Sequence, residues 1–226
     1  TSMWITENNL TSLAQSGYGL LEQILSPANL NAAYKRVRQN KGAGGVDEME
    51  VDSLKDYLIE QKDKLIATIL DGKYRPNPVR RVEIPKENGK KRALGIPTVV
   101  DRVIQQAITQ VLSPIYEKQF SLFSYGFRPK RSAHQALRQC QRYITEGYSH
   151  AVDMDLEKFF DTVNQSKLVE VLSRTIRDGR VISLIHRYLQ AGVVVSGKFE
   201  QTTVGVPQGG PLSPLLSNIM LNELDK

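Results

Sequence analysis

Residues 150–164 read HAVDMDLEKFFDTVN, an apolar run interrupted by four carboxylates: Asp153, Asp155, Glu157 and Asp161. The alternation predicts a buried strand running into a turn. Successive strand residues face opposite ways, so Val152, Met154 and Leu156 are expected in the core, with Asp153, Asp155 and Glu157 sharing the other face. Acids side by side repel unless a cation or a basic partner neutralises them. Mg²⁺, a hard cation that takes one or two carboxylates plus substrate phosphates, suits such a face. A salt bridge explains Asp153 and Glu157 as well as a metal does, and Asp161 is better read as a cap for a helix beginning near Gln165. Asp155 resists both readings, because Phe159 and Phe160 follow it at fixed offsets.

The totals bound what surrounds this stretch. The 226 residues are 40% hydrophobic and 24% charged, an ordinary globular composition that holds one large domain or two small ones. No apolar run reaches the roughly 18–20 residues of a membrane span. The polar N-terminus has no secretory layout, and Thr1-Ser2 before Met3 has the look of a cloning remnant. One cysteine, Cys140, permits no internal disulfide, which suits a reducing cytoplasm. His134, His150 and His186 have no zinc spacing.

The net charge is +6, and its placement is informative. Residues 73–102 carry nine basic side chains against three acidic ones, which accounts for the whole excess. A second cluster, Arg128, Lys130, Arg131, Arg138 and Arg142, contains no acid. Clustered base interspersed with Gly and Pro points to a nucleic-acid partner.

Periodicity predicts helices over 53–70, with Asp52 or Ser53 as the cap, Ser53 and Asp56 resembling a capping box, and Gly72 as the stop, and over 98–117. Others are expected near 28–39, 132–146, 165–176 and 180–191, with a last helix starting at Pro211. Two hairpins are expected, one turning at Asn88-Gly89 and carrying much of the basic charge, the other about Ser196-Gly197. The glycine-rich turn at Gly42, Gly44 and Gly45 lacks a Walker lysine and is not a phosphate loop. The fold class is α+β and rich in helix.

The segment GVPQGGPLSPLLSNIML, residues 205–221, places Gln208 at the tip of a rigid Gly/Pro turn that allows close backbone approach. With DLEKFFD it resembles the first two catalytic signatures of reverse transcriptases. IPKENGKKRALGIPTVVDRVIQQAI, SYGFRPKRSAHQAL and NKGAGGVDEM are similar to the group II intron reverse transcriptases, or maturases. The resemblance covers about residues 20–226.

The resemblance implies a helix-rich fingers region and part of the palm of a right-hand polymerase. Residues 1–20 would be a tag remnant and extension, 21–149 fingers, and 150–226 a partial palm. It implies that Asp155 binds the catalytic metal with the Leu156 carbonyl, and that Phe160 is the aromatic gate beneath the sugar. Gln208 would lie by the incoming nucleotide, and Lys86 and Arg92 would grip its triphosphate. Arg80, Arg81, Lys90, Lys91, Arg128, Lys130 and Arg131 would contact RNA. The implied partners are group II intron RNA, an RNA template, a DNA primer and deoxynucleoside triphosphates, with Mg²⁺ in the complete site. The family's third motif, an adjacent Asp pair, is absent from the sequence. The expectation is therefore a fragment that does not polymerise on its own, still binds RNA, and can self-associate through exposed apolar surface. A splicing cofactor using the same fold as a scaffold is the alternative. A retron or diversity-generating lineage is weaker.

Overall fold

The computed structural model describes residues 19–85, 89 and 91–226. Nine helices lie among them: α1 (Leu20–Ile24), α2 (Pro27–Asn40), α3 (Leu54–Leu70), α4 (Val99–Glu117), α5 (Ala133–Thr145), α6 (Phe159–Thr162), α7 (Gln165–Thr175), α8 (Gly179–Leu189) and α9 (Ser213–Leu221). Four strands, β1 (Val79–Pro85), β2 (Lys91–Ile96), β3 (Val193–Val195) and β4 (Lys198–Glu200), form one sheet in the order β2-β1-β3-β4. This is the helix-rich α+β class.

The core is built on α4. Its apolar stripe, Val99, Val103, Ile104, Ala107, Ile108 and Leu112, is fully buried and packs in one cluster with α1, α2, α3, α7, α8 and α9. Thr98 caps α4 by accepting the Asp101 N–H at 3.2 Å. Asp101, buried in the first turn, accepts from the Tyr74 hydroxyl (2.6 Å), the Thr98 hydroxyl (2.6 Å), and the backbone and side-chain nitrogens of Asn77 (3.1 and 3.3 Å). The carboxylate thus ties the approach to β1 onto the start of α4. Burial pushes the Asp101 carboxyl above its ordinary value, and the hydrogen bonds it accepts oppose that rise.

The sheet joins two hairpins that lie far apart in the chain. β1 pairs with β2 antiparallel, from Arg80 opposite Ile96 to Pro85 opposite Lys91. β1 also pairs with β3 in parallel, Val79 beside Val193. At the second turn Ser196 and Gly197 both have positive φ, 49° and 79°, the backbone of a type I′ hairpin. That pairing is shorter than the sequence suggests, only three residues on each side. At the first turn Gly89 has φ +75°, while Lys86, Glu87, Asn88 and Lys90 lie outside the described residues.

Several expectations are corrected. Residues 151–156 form no strand: Val152, Met154 and Leu156 are 87%, 73% and 49% exposed. Apolar alternation makes a strand only beside a partner that takes its backbone groups, and no described strand pairs with this segment. Asp161 does not cap α7; it lies within α6, and the Asn164 side chain accepts the Lys167 N–H instead. Ser53 does not cap α3, because it has helical angles at the end of a 3₁₀ turn, Val51–Ser53, that leads straight into the helix. The last helix begins at Ser213, with Pro214 rather than Pro211 in its first turn. The short helices α1 and α6 escape periodicity because each is barely a turn long.

One ion cluster ties α1 to the start of α8 and is expected to make that attachment pH-dependent. Arg180 bonds Glu22 (2.6 and 2.8 Å) and Asp178, and Asp178 also accepts the N–H of Leu21 (3.1 Å) and of Arg180 (3.1 Å). The Arg180 guanidinium holds Glu22 and Asp178 below their ordinary values of 4.5 and 3.8. Depressed carboxylates stabilise the fold above their unfolded pKa and lose that contribution as pH falls through the folded one. The urea midpoint should therefore fall between about pH 5 and about pH 3. Arg180→Ala should flatten that dependence, and an unchanged profile would disprove the assignment.

Candidate nucleotide cleft and basic surface

A cleft of about 400 Å³ opens where four segments meet: the β1–β2 hairpin (Arg81, Leu94, Gly95), the β3–β4 hairpin with the residues after it (Val193, Glu200, Thr202), α6 (Phe160, Asp161) and the turn Gly205–Gln208. Backbone hydrogen bonds fix its walls. The Gly95 N–H donates to the Gln208 carbonyl at 2.7 Å, and the Val206 N–H donates to the Phe160 carbonyl at 2.6 Å. The Ser213 hydroxyl donates to the Pro207 carbonyl. Gly209 has φ +110°, and a Cβ there would come 2.1 Å from the Gly95 carbonyl oxygen, so only glycine allows the turn to press on the hairpin. Phe160 is half-buried, with its ring edge-on to Phe159 at 5.8 Å. The fold thus brings Phe160 and Gln208 to one cleft with Arg81.

Asp155 and Leu156 are not among the cleft's lining residues and sit on the exposed segment before α6. Glu157 pairs with Lys158 at 3.9 Å on the surface. Two magnesium ions need several convergent oxygen ligands. Among the described residues no three His, Cys, Asp or Glu side chains come together, so these residues do not fit a two-ion site.

The basic residues divide by environment. Lys86 and Lys90 lie outside the described residues, and Arg92 is in β2 opposite Ile84. Arg80 turns from the cleft and donates twice to the Gly44 carbonyl, at 3.1 and 2.6 Å. Lys91 pairs with Glu83 at 2.7 Å on the surface. Lys130 is exposed, and Arg131 lies 5.5 Å over the Tyr125 ring. Arg128 is the correction: its side chain is 3% exposed. It bonds Glu117 and the carbonyls of Ser121 (2.6 Å) and Ser124 (2.7 Å), and lies over Phe120. A guanidinium so committed braces the 117–124 turn.

Sequence reading missed a second cleft, of about 780 Å³, between α2, α4, the 127–130 loop and the start of α9. Arg36, Gln106, Gln110 and Lys130 line it, together with Pro211 and Pro214. The turn around Gly209 separates the two clefts, with Gln208 on one side and Pro211 on the other. No local pattern marks Arg36 or Gln106, because they meet Lys130 only after α2 packs on α4.

Residues 84–226 match the family described as reverse transcriptase (RNA-dependent DNA polymerase). Protein YkfC of Escherichia coli (strain K12) is 42% identical over 213 residues, covering 92% of this chain and 56% of that protein. The group II intron-encoded protein LtrA of Lactococcus lactis subsp. cremoris is 38% identical over 223 residues, covering 98% of this chain and 37% of LtrA. The chain thus spans about half and about a third of these two relatives. Nuclear intron maturase 2 of Arabidopsis thaliana is 40% identical over 96 residues, 42% of this chain and 13% of that protein. A partial Cas6-RT-Cas1–Cas2 complex shares the fold, with a TM-score of 0.61 at 22% identity over 98% of this chain and 37% of its own. The chain belongs to the reverse transcriptase (RNA-dependent DNA polymerase) family, and its relatives include group II intron-encoded proteins.

Proposed function

We propose that this chain is the nucleotide- and template-binding part of a group II intron-encoded RNA-directed DNA polymerase that also binds its intron RNA. One observation carries the reading: Phe160 and Gln208, distant in sequence, line one cleft with Arg81 and the base of the basic hairpin. A flat ring beside a polar carboxamide suits a nucleoside, and a guanidinium suits a phosphate. The second cleft, with Arg36 and Lys130 exposed at its edge, would take the template strand. Mg²⁺ would enter with carboxylates beyond those the described residues bring together.

The test is primer extension on an RNA template by the full-length gene product, with deoxy- and ribonucleotides compared. Phe160→Ala should admit ribonucleotides, since a wall that excludes one hydroxyl contributes about 10–200-fold in discrimination. Unchanged discrimination would sink the reading. The 226-residue chain alone is expected to extend no primer, and detectable extension would overturn that.

The likeness to a nuclear intron maturase favours a second reading, an RNA-binding splicing cofactor. Both readings require electrostatic binding. With about four phosphates neutralised, single-stranded RNA affinity should fall about 50-fold between about 50 and 200 mM salt. A titration showing no salt dependence would exclude this mode.

A further inference from the structure

A buried amide lies behind Phe160 at the cleft. Gln165 is the first residue of α7 and is buried. Its Nε2 donates to two carbonyls from different parts of the chain, Leu189 at the end of α8 and Gly205 in the cleft turn, both at 3.0 Å. Gly205 donates to the Val163 carbonyl at 2.8 Å, and Val206 donates to the Phe160 carbonyl at 2.6 Å. Gly205 has φ +88°, and a Cβ there would come 2.8 Å from the Phe160 carbonyl oxygen. Gln165, Gly205, Val206 and Phe160 therefore form one connected chain, and α8 is its anchor. The Leu189 carbonyl is fixed further by the Thr202 hydroxyl at 2.9 Å.

We propose that Gln165 is a positioning residue for sugar selection: it bridges α8 to the Gly205 turn and so fixes the backbone beneath Phe160. The proposal rests on Phe160 acting as the gate. A gate discriminates one hydroxyl only if its ring is placed to within a fraction of an ångström, since misplacement by about 1 Å costs up to about 100-fold in a reacting site. The carboxamide suits the task because one nitrogen carries two hydrogens, one for each carbonyl. A carboxylate would set its oxygens against both carbonyls, and a thioether of similar length donates nothing.

The experiment uses the full-length gene product and reads the deoxy- over ribonucleotide preference in kcat/KM. Gln165→Met should lower that preference about tenfold, a loss on the scale of one pocket contact. Phe160→Ala should lower it at least as far. The double variant should fall no further than Phe160→Ala alone, because residues acting through one element are not additive. Leu168→Ala, a core truncation in the same helix, should lower stability and leave the preference intact. If Phe160→Ala changes nothing, the gate reading itself fails. If Phe160→Ala works but Gln165→Met does not, or the two losses multiply, the positioning role is overturned and the gate stands. Should Gln165→Met not fold, Thr202→Val loosens the same anchor from the half-buried side. It should then lower the preference measurably, and no change would refute the proposal. In the 226-residue chain, Gln165→Met should also speed amide hydrogen exchange at Gly205 and Val206; unchanged exchange there would count against the bridge.

Discussion

Asp101→Ala is expected to lower the unfolding free energy by about 3 kcal/mol, because it strands the buried Thr98 hydroxyl and the half-buried Tyr74 hydroxyl, and a buried donor costs roughly 1–3 kcal/mol when unpaired. The two nitrogens of Asn77 lose the same acceptor, but Asn77 is exposed and water can replace it. For a chain of this size the midpoint of thermal unfolding should drop by about 6–12 °C. Asp101→Asn should cost less, about 1 kcal/mol, since its amide oxygen still accepts from the donors on one side. The two variants also separate a pH effect. Burial raises the Asp101 carboxyl above 3.8 in the fold. The folded state then holds this proton more tightly than the unfolded chain does. The Asp101 contribution is full below the unfolded value and is lost as pH rises through the folded one. It opposes the Glu22 and Asp178 effect on the acid side. Asp101→Asn should therefore make the loss of stability on acidification steeper than in the parent. Urea titrations from about pH 3 to 7 decide this, and a shallower profile would refute the assignment.

Arg128→Met is expected to destabilise by about 3 kcal/mol and to leave RNA affinity and its salt slope unchanged. Breaking a buried charge pair costs about 3–5 kcal/mol when the partner is left uncompensated. Glu117 keeps some access to water, its side chain being 32% exposed, which places the expectation at the lower end. The Ser121 and Ser124 carbonyls lose their donor as well. Lys130→Ala with Arg131→Ala should behave in the opposite way. Stability should move by only about 0.5–1 kcal/mol, the scale of the Arg131–Tyr125 interaction. The salt slope for single-stranded RNA should shrink by about 0.7 for each phosphate that is no longer neutralised. Loss of RNA binding by folded Arg128→Met would return Arg128 to the RNA surface.

Much of the architecture was legible because it is local. The helices α2, α3, α4, α5, α7 and α8 follow from stripes of apolar residues at helical spacing and from the breaks that bound them. Both hairpins follow from turn pairs that accept positive φ. The family follows from DLEKFFD and PQGGPLSP taken together, where neither suffices alone.

Local sequence thus establishes which segments are helical, where the chain turns and which family the chain belongs to. What those residues touch was settled by packing. Arg128 and Lys130 are two positions apart in one basic cluster, yet one is buried against Glu117 and the other faces solvent. The parallel pairing of β1 with β3 and the meeting of Phe160 with Gln208 join segments with no local signal for each other. Residues 151–156 carry a strand's alternation and form no strand. Alternation states a preference for a face, and backbone hydrogen bonds to a neighbour decide whether that face exists. Charge and polarity are properties of a residue; burial and partnership are properties of the packed chain.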